Sequence, residues 1–145
     1  MPYRCSFLTN DRIALICSDR LCVYDLKGNV KGEYRYPSRL FDFYVAEDIL
    51  VTVFDLYGSG KGDTVVVFDK NGKDIFAKRI DGNIRDAVYS DSCVYLLRDT
   101  DVIRIDTRFG VASYVDYTFE VARLQVVSDG EVLLCTETTA YYLTF

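Results

Sequence analysis

Val66-Val67-Phe68-Asp69-Lys70-Asn71-Gly72 runs from an apolar strand signal directly into an Asp-x-x-Gly turn. Val and Phe favour pleated strands, an Asp carboxylate accepts backbone N–H groups in a turn, and Gly adopts positive φ. The same signal recurs at Cys22-Val23-Tyr24-Asp25-Leu26-Lys27-Gly28 and, one residue longer, at Ile103-Arg104-Ile105-Asp106-Thr107-Arg108-Phe109-Gly110. We interpret six residues as structural turn residues between the third and fourth strands of a repeated unit: Asp25, Gly28, Asp69, Gly72, Asp106 and Gly110.

A second signal, a short polar turn before a strongly apolar run, occurs four times. The turns are Asn10-Asp11-Arg12, Glu47-Asp48, Ser90-Asp91-Ser92 and Ser128-Asp129-Gly130. Both signals repeat every 37 to 44 residues. A repeat of this length is typical of arrays built from one supersecondary unit. We therefore predict a single domain over residues 1–145, with units at about residues 4–36, 40–80, 84–117 and 122–145.

The polarity of the predicted strands separates a propeller from a sandwich. The second strand of a unit, such as Ile13-Ala14-Leu15-Ile16-Cys17, is nearly continuously apolar, as expected for a strand covered on both faces. The fourth strand, such as Glu33-Tyr34-Arg35-Tyr36, alternates, as expected for an outer strand. The pattern predicts an all-β, propeller-like fold of four consecutive four-stranded antiparallel blades, the last one incomplete.

The four-strand unit with its Asp-x-x-Gly turn resembles the PQQ-like (quinoprotein-like) and WD40-like β-propeller repeats over almost the whole chain. It is also similar to uncharacterised bacterial propellers, some of which are membrane-tethered. The chain contains no Trp, so it lacks both the fourth-strand Trp of quinoprotein repeats and any Trp-Asp pair. The resemblance therefore implies the architecture without a quinone cofactor. It leaves the cell compartment open, including an extracytoplasmic position in a membrane-tethered protein.

Charge and composition exclude several classes of partner. The net charge of −5 and the absence of a basic run disfavour nucleic acid and anionic membrane surfaces. No apolar stretch approaches ~20 residues, so we expect no membrane insertion by this chain. The sequence has no His, which excludes a Cys/His zinc site. We expect neither a metal nor a cofactor.

The five cysteines are odd in number and form no C-x-x-C pair. Cys17, Cys22, Cys93 and Cys135 lie in or beside apolar runs, and we interpret them as reduced, buried side chains. A disulfide between Cys17 and Cys22 across a hairpin is the alternative.

Candidate binding residues lie in the loops that join second to third strands and one unit to the next, where propellers bind ligands. We single out Asp19, Arg20, Arg39, Lys61, Asp63, Asn83, Asp99 and Asp101. The same acid-rich set of loops contains Phe119-Glu120 and Glu137-Thr138-Thr139. The segment Gly58-Ser59-Gly60-Lys61-Gly62-Asp63 has neither the glycine spacing nor the following helix of a phosphate-binding loop, so we interpret it as a hairpin tip.

The sequence favours a non-enzymatic interaction or ligand-binding module, part of a larger propeller, whose partner is a protein or a small polar ligand. It offers no His as a general base and no Ser or Cys nucleophile with a recognisable partner. The alternatives are a fragment of a propeller-type carbohydrate-active enzyme, whose acids would be spread across several blades, and a purely structural repeat. The incomplete last unit leaves an open edge, which predicts self-association or completion by the remainder of a longer propeller.

Overall fold

The computed structural model describes residues 2–46, 48–55 and 62–145 of the chain. These residues form fifteen strands and no helix, in four antiparallel sheets whose strands follow chain order. The first sheet contains β1 (Pro2–Thr9), β2 (Arg12–Cys17), β3 (Arg20–Asp25) and β4 (Val30–Arg35). The second contains β5 (Arg39–Ala46), β6 (Ile49–Asp55), β7 (Asp63–Phe68) and β8 (Asp74–Ile80).

The third sheet contains β9 (Asp86–Ser90), β10 (Cys93–Leu97), β11 (Asp101–Asp106) and β12 (Ala112–Asp116). The fourth contains three strands in the part of the chain that is described: β13 (Arg123–Ser128), β14 (Glu131–Cys135) and β15 (Ala140–Thr144). The two strands quoted above, 13–17 and 33–36, correspond to β2 and β4. The predicted all-β, partial-propeller architecture is confirmed.

The chain divides into two compact units, Met1–Asp81 and Gly82–Phe145. The first and second sheets form one unit, and the third and fourth sheets form the other. That residues 1–145 behave as a single domain stays a prediction. Within the described ranges, no helix is long and apolar enough to cross a membrane.

The Asp-x-x-Gly turns close the hairpins between third and fourth strands. Oδ1 of Asp25, Asp69 and Asp106 accepts the backbone N–H two residues further on, at 2.9, 2.8 and 2.8 Å. A side-chain hydrogen bond from Arg108 lowers the pKa of Asp106 to about 2. The glycines of these turns, Gly28, Gly72 and Gly110, have φ of 83°, 75° and 68°, a conformation that costs other residues more.

The first and second sheets are in contact through aromatic side chains and through a close approach of their backbones. The Tyr36 and Phe54 ring centroids lie 4.9 Å apart, and Arg12 Nε donates a hydrogen bond to Asn71 Oδ1 at 3.1 Å. A Cβ placed on Gly32 would lie 2.0 Å from the backbone oxygen of Asn71. The outer strand of the first sheet therefore touches the β7–β8 turn directly, and only glycine allows this approach.

The third and fourth sheets are joined by a network around Tyr95, whose side chain is fully buried. Its hydroxyl accepts the Gly130 N–H at 2.9 Å. Arg104 Nη2 donates to Asp129 Oδ1 at 2.5 Å, and the Tyr95 ring lies 5.9 Å from that of Phe145. A buried tyrosine of this kind needs such a partner, because an unpaired hydroxyl costs free energy.

The second strands of the four sheets differ in burial, which corrects part of the sequence interpretation. All residues of β10, and all but the last of β6, are buried, as the continuous apolar pattern predicts. In β2 and β14, however, alternate residues stay half-buried: Ile13, Leu15 and Cys17, and Glu131, Leu133 and Cys135. The prediction of two covered faces is therefore wrong for these two strands, because one row of side chains on each strand stays partly accessible to solvent.

The same geometry corrects the prediction of buried cysteines. Cys22 and Cys93 are buried, and burial raises the pKa of both thiols. Cys17 and Cys135 are only half-buried, because they lie on the uncovered faces of the first and fourth sheets. All five cysteines are free thiols, so the alternative disulfide between Cys17 and Cys22 is not formed.

Candidate functional site

A cavity of about 330 Å³ lies among the loops of the Gly82–Phe145 unit. Three segments form it: the connection before β9, the β12–β13 connection and the β14–β15 turn. Its lining residues are Arg85, Glu120, Val121, Ala122, Thr136, Glu137 and Thr138. We call this surface the loop end. A volume near 300 Å³ is at the small end of ligand sites.

Arg85 is fixed in place at the loop end. Its Nη2 donates a hydrogen bond to the Val121 carbonyl at 3.0 Å, and its Nε lies 3.8 Å from Asp99 Oδ1. Its backbone N–H donates to the Leu97 carbonyl at 2.8 Å. The side chain is nevertheless 38% exposed. The guanidinium group is therefore both positioned and accessible.

The β14–β15 turn holds the opposite side of the cavity. Thr136 Oγ1 accepts the Thr139 N–H at 2.9 Å and donates to the Thr139 carbonyl at 3.0 Å. These bonds are the local Ser/Thr-type turn contacts that fix a short loop. Glu137 is exposed within this turn, and Glu120 is exposed in the β12–β13 connection. The cavity thus combines one cation with two exposed carboxylates.

The predicted acids Asp99 and Asp101 engage different arginines. Asp101 is buried, and Arg98 Nε donates to its Oδ1 at 2.7 Å. The Tyr117 hydroxyl in turn donates to the Arg98 carbonyl, and burial raises the pKa of Tyr117. Asp99 is exposed and faces Arg85. The two carboxylates are therefore ion-paired separately and do not form a pair of acids.

The other residues singled out from the sequence are distributed over both units. Arg20 pairs with Asp19 and with Glu33, at 3.0 Å each, and the hydrogen bond from Arg20 lowers the pKa of Asp19. Asp63 is buried at the start of β7. Arg39 is exposed at the start of β5, and Asn83 is exposed before β9. Lys61 lies outside the described residues, together with residues 56–60.

Sequence reasoning placed the loops but did not single out most of the residues that line the cavity. Glu120, Glu137 and Thr138 lie in the predicted acid-rich loops. Arg85 and Thr136 carry no signal of their own, because their positions depend on contacts with other segments. Across the described ranges, no group of three or more His, Cys, Asp or Glu side chains could hold a metal ion.

Comparison with known proteins places the chain in a fold group. A family model described as "Family of unknown function (DUF5711)" matches residues 1–143. No curated protein matches the chain. Solved structures that match include BamB from Moraxella catarrhalis, with a TM-score of 0.66 at 10% identity, over 92% of this chain and 45% of BamB.

Two further matches are a HIRA fragment and the Hsv2 protein of Kluyveromyces lactis. HIRA(644-1017) gives a TM-score of 0.65 at 14% identity, over 98% of this chain and 52% of that one. Hsv2 gives 0.60 at 8% identity, over 97% and 46%. The matched structures are WD40-type and related propeller proteins, and identities this low show the fold alone. The chain spans about half the length of the solved chains that it matches.

Proposed function

Because the chain belongs to the DUF5711 family, whose function is unknown, and has a propeller-type fold, we propose that it is a non-enzymatic module that binds a protein partner. The binding surface is the loop end. The observation that carries this proposal is the combination of a fixed but accessible arginine, Arg85, with two exposed carboxylates around one small cavity.

The loop end suits a side chain or a short segment of a protein partner. Its volume of about 330 Å³ is small for a substrate cleft. Arg85 and the Thr136 turn are held by hydrogen bonds within the unit. Groups that are already fixed cost less entropy to order on binding.

The charges favour a basic partner segment. Glu120 and Glu137 are exposed at the cavity, whereas Arg85 already faces Asp99. The chain as a whole carries a net charge of −5. Complementary charge steers association and fixes the register of an interface. A segment that presents Lys or Arg to Glu137 therefore fits this surface.

The carbohydrate-active alternative has less support. A glycosidase needs two carboxyl groups, and its general acid is kept protonated by an apolar environment. Asp99 and Asp101 are bound by two different arginines. Glu120 and Glu137 are exposed on loops. These positions favour recognition of a charged segment over proton transfer.

We expect a random-peptide display library panned against the chain to yield peptides enriched in Lys and Arg. Their affinity, measured by fluorescence anisotropy, should fall about tenfold for Glu137→Lys, which corresponds to about 1.4 kcal/mol. The matched control is Asp74→Lys, which reverses an exposed acid in the other unit and should leave the affinity unchanged. Selected peptides that bind Glu137→Lys as tightly as the parent chain, or the recovery of no basic peptides, would contradict the proposal.

A further inference from the structure

The two interfaces between consecutive sheets within the units are built in the same way. In one, the first sheet presents Ala14 and Ile16 of β2 to the second sheet. In the other, the third sheet presents Tyr95 and Leu97 of β10 to the fourth. We call the side of a sheet that meets the next sheet along the chain its forward face, and the side that meets the preceding sheet its backward face.

The uncovered side of the first sheet is its backward face, and the uncovered side of the fourth sheet is its forward face. The faces of different sheets can be matched by counting along their second strands, because Arg12, Cys93 and Glu131 each begin such a strand. Leu133 of β14 therefore occupies the position of Ala14 and Tyr95. Leu133 is half-buried, whereas both of its counterparts are fully buried.

We propose that the forward face of the fourth sheet in one copy of the chain docks on the backward face of the first sheet in a second copy. Both faces carry apolar side chains at their centres, Leu133 on one and Ile13 and Leu15 on the other. Uncovered apolar surface of this kind favours association. The contact is head-to-tail, so each copy offers both halves of it.

A closed pair accounts for both uncovered faces. A dimer with two head-to-tail contacts leaves neither face uncovered, whereas an open series would always leave one of each.

Charge complementarity supports this docking. At the interface between the first and second sheets, Arg12 bonds to Asn71. Glu131 occupies the Arg12 position in the fourth sheet, and Lys27, two residues after Asp25, occupies the Asn71 position in the first. The same packing mode would therefore bring Glu131 of one copy to Lys27 of the other, an acid to a base.

The surroundings of Lys27 leave room for such a contact. Lys27 is exposed in the turn between β3 and β4. The nearby Lys31 is already paired with Asp25 at 3.0 Å. Within the described residues, no ion pair engages the Lys27 ammonium group. An incoming carboxylate from Glu131 would supply one.

The experiment measures the mass of the chain by size-exclusion chromatography with light scattering, and the dimer dissociation constant by sedimentation. We expect twice the chain mass of 16.6 kDa. Lys27→Glu and Glu131→Lys should each weaken the dimer about tenfold, and the double variant with both charges exchanged should recover most of the affinity. The matched control Lys73→Glu, at an exposed position in the corresponding turn of the second sheet, should leave the dimer intact.

Recovery in the double variant is the decisive outcome, because a variant that merely folded poorly would not be rescued by a second charge reversal. A chain that stays monomeric at high micromolar concentration would overturn the proposal. So would a dimer whose stability is unaffected by either single reversal. Peptide binding at the loop end uses none of these residues, so failure here leaves the proposed function to its own test.

Discussion

Replacement of Phe54 by alanine is expected to lower the free energy of unfolding by about 3–5 kcal/mol. Phe54 is fully buried in the core between the first and second sheets, and its ring packs against that of Tyr36. The loss has two parts, the transfer free energy of the ring and the cavity that it leaves. The cavity would collapse poorly, because the two sheets are also held apart by the close contact of Gly32 with Asn71.

Denaturant unfolding followed by circular dichroism measures this effect. The matched control is Phe109→Ala, since the Phe109 side chain is 76% exposed in the β11–β12 turn. Surface substitutions of this kind usually change stability by less than about 0.5 kcal/mol. Equal losses in the two variants would show that Phe54 does not lie in a packed interface between sheets.

The substitution Gly32→Ala is expected to lower the free energy of unfolding by about 3 kcal/mol or more. This is the upper end of the range seen for overpacked sites. The added Cβ would lie 2.0 Å from the Asn71 oxygen and 3.1 Å from its carbonyl carbon. Both are backbone atoms, so relief requires the β7–β8 turn to move away from the first sheet. That movement would also break the hydrogen bond from Arg12 to Asn71.

Arg35→Ala provides the comparison for Gly32→Ala, because Arg35 is an exposed residue of the same outer strand. We expect the midpoint of thermal unfolding to drop sharply for Gly32→Ala and little for Arg35→Ala. A Gly32→Ala chain as stable as the parent would mean that the first and second sheets are not in backbone contact.

Local patterns explain why the strands and turns could be predicted. The Asp-x-x-Gly signal contains within a few residues both the carboxylate that accepts the N–H and the glycine with positive φ. Strand polarity likewise predicted the nearly complete burial of β6 and β10. The same apolar run in β2 led to a wrong prediction, because coverage depends on a neighbouring sheet and not on the strand itself.

The residues of the candidate site could likewise be predicted only in part. The loops around Glu120 and Glu137 follow from the positions of the strands. Arg85, in contrast, is placed by a hydrogen bond to Val121, 36 residues further along the chain. No local pattern encodes such a contact. For the same reason no local pattern indicates that Asp99 and Asp101, two residues apart in sequence, form ion pairs with different arginines, Arg85 and Arg98.

Backbone cross-strand nuclear Overhauser effects in the isotope-labelled chain test the proposed fold most directly. We expect these backbone effects only between strands that are consecutive in the chain and share a sheet, such as Leu15 with Cys22 and Leu96 with Ile103. Strand pairing between different sheets, for example β1 with β15 in one interleaved sandwich, would contradict the architecture of four successive blades.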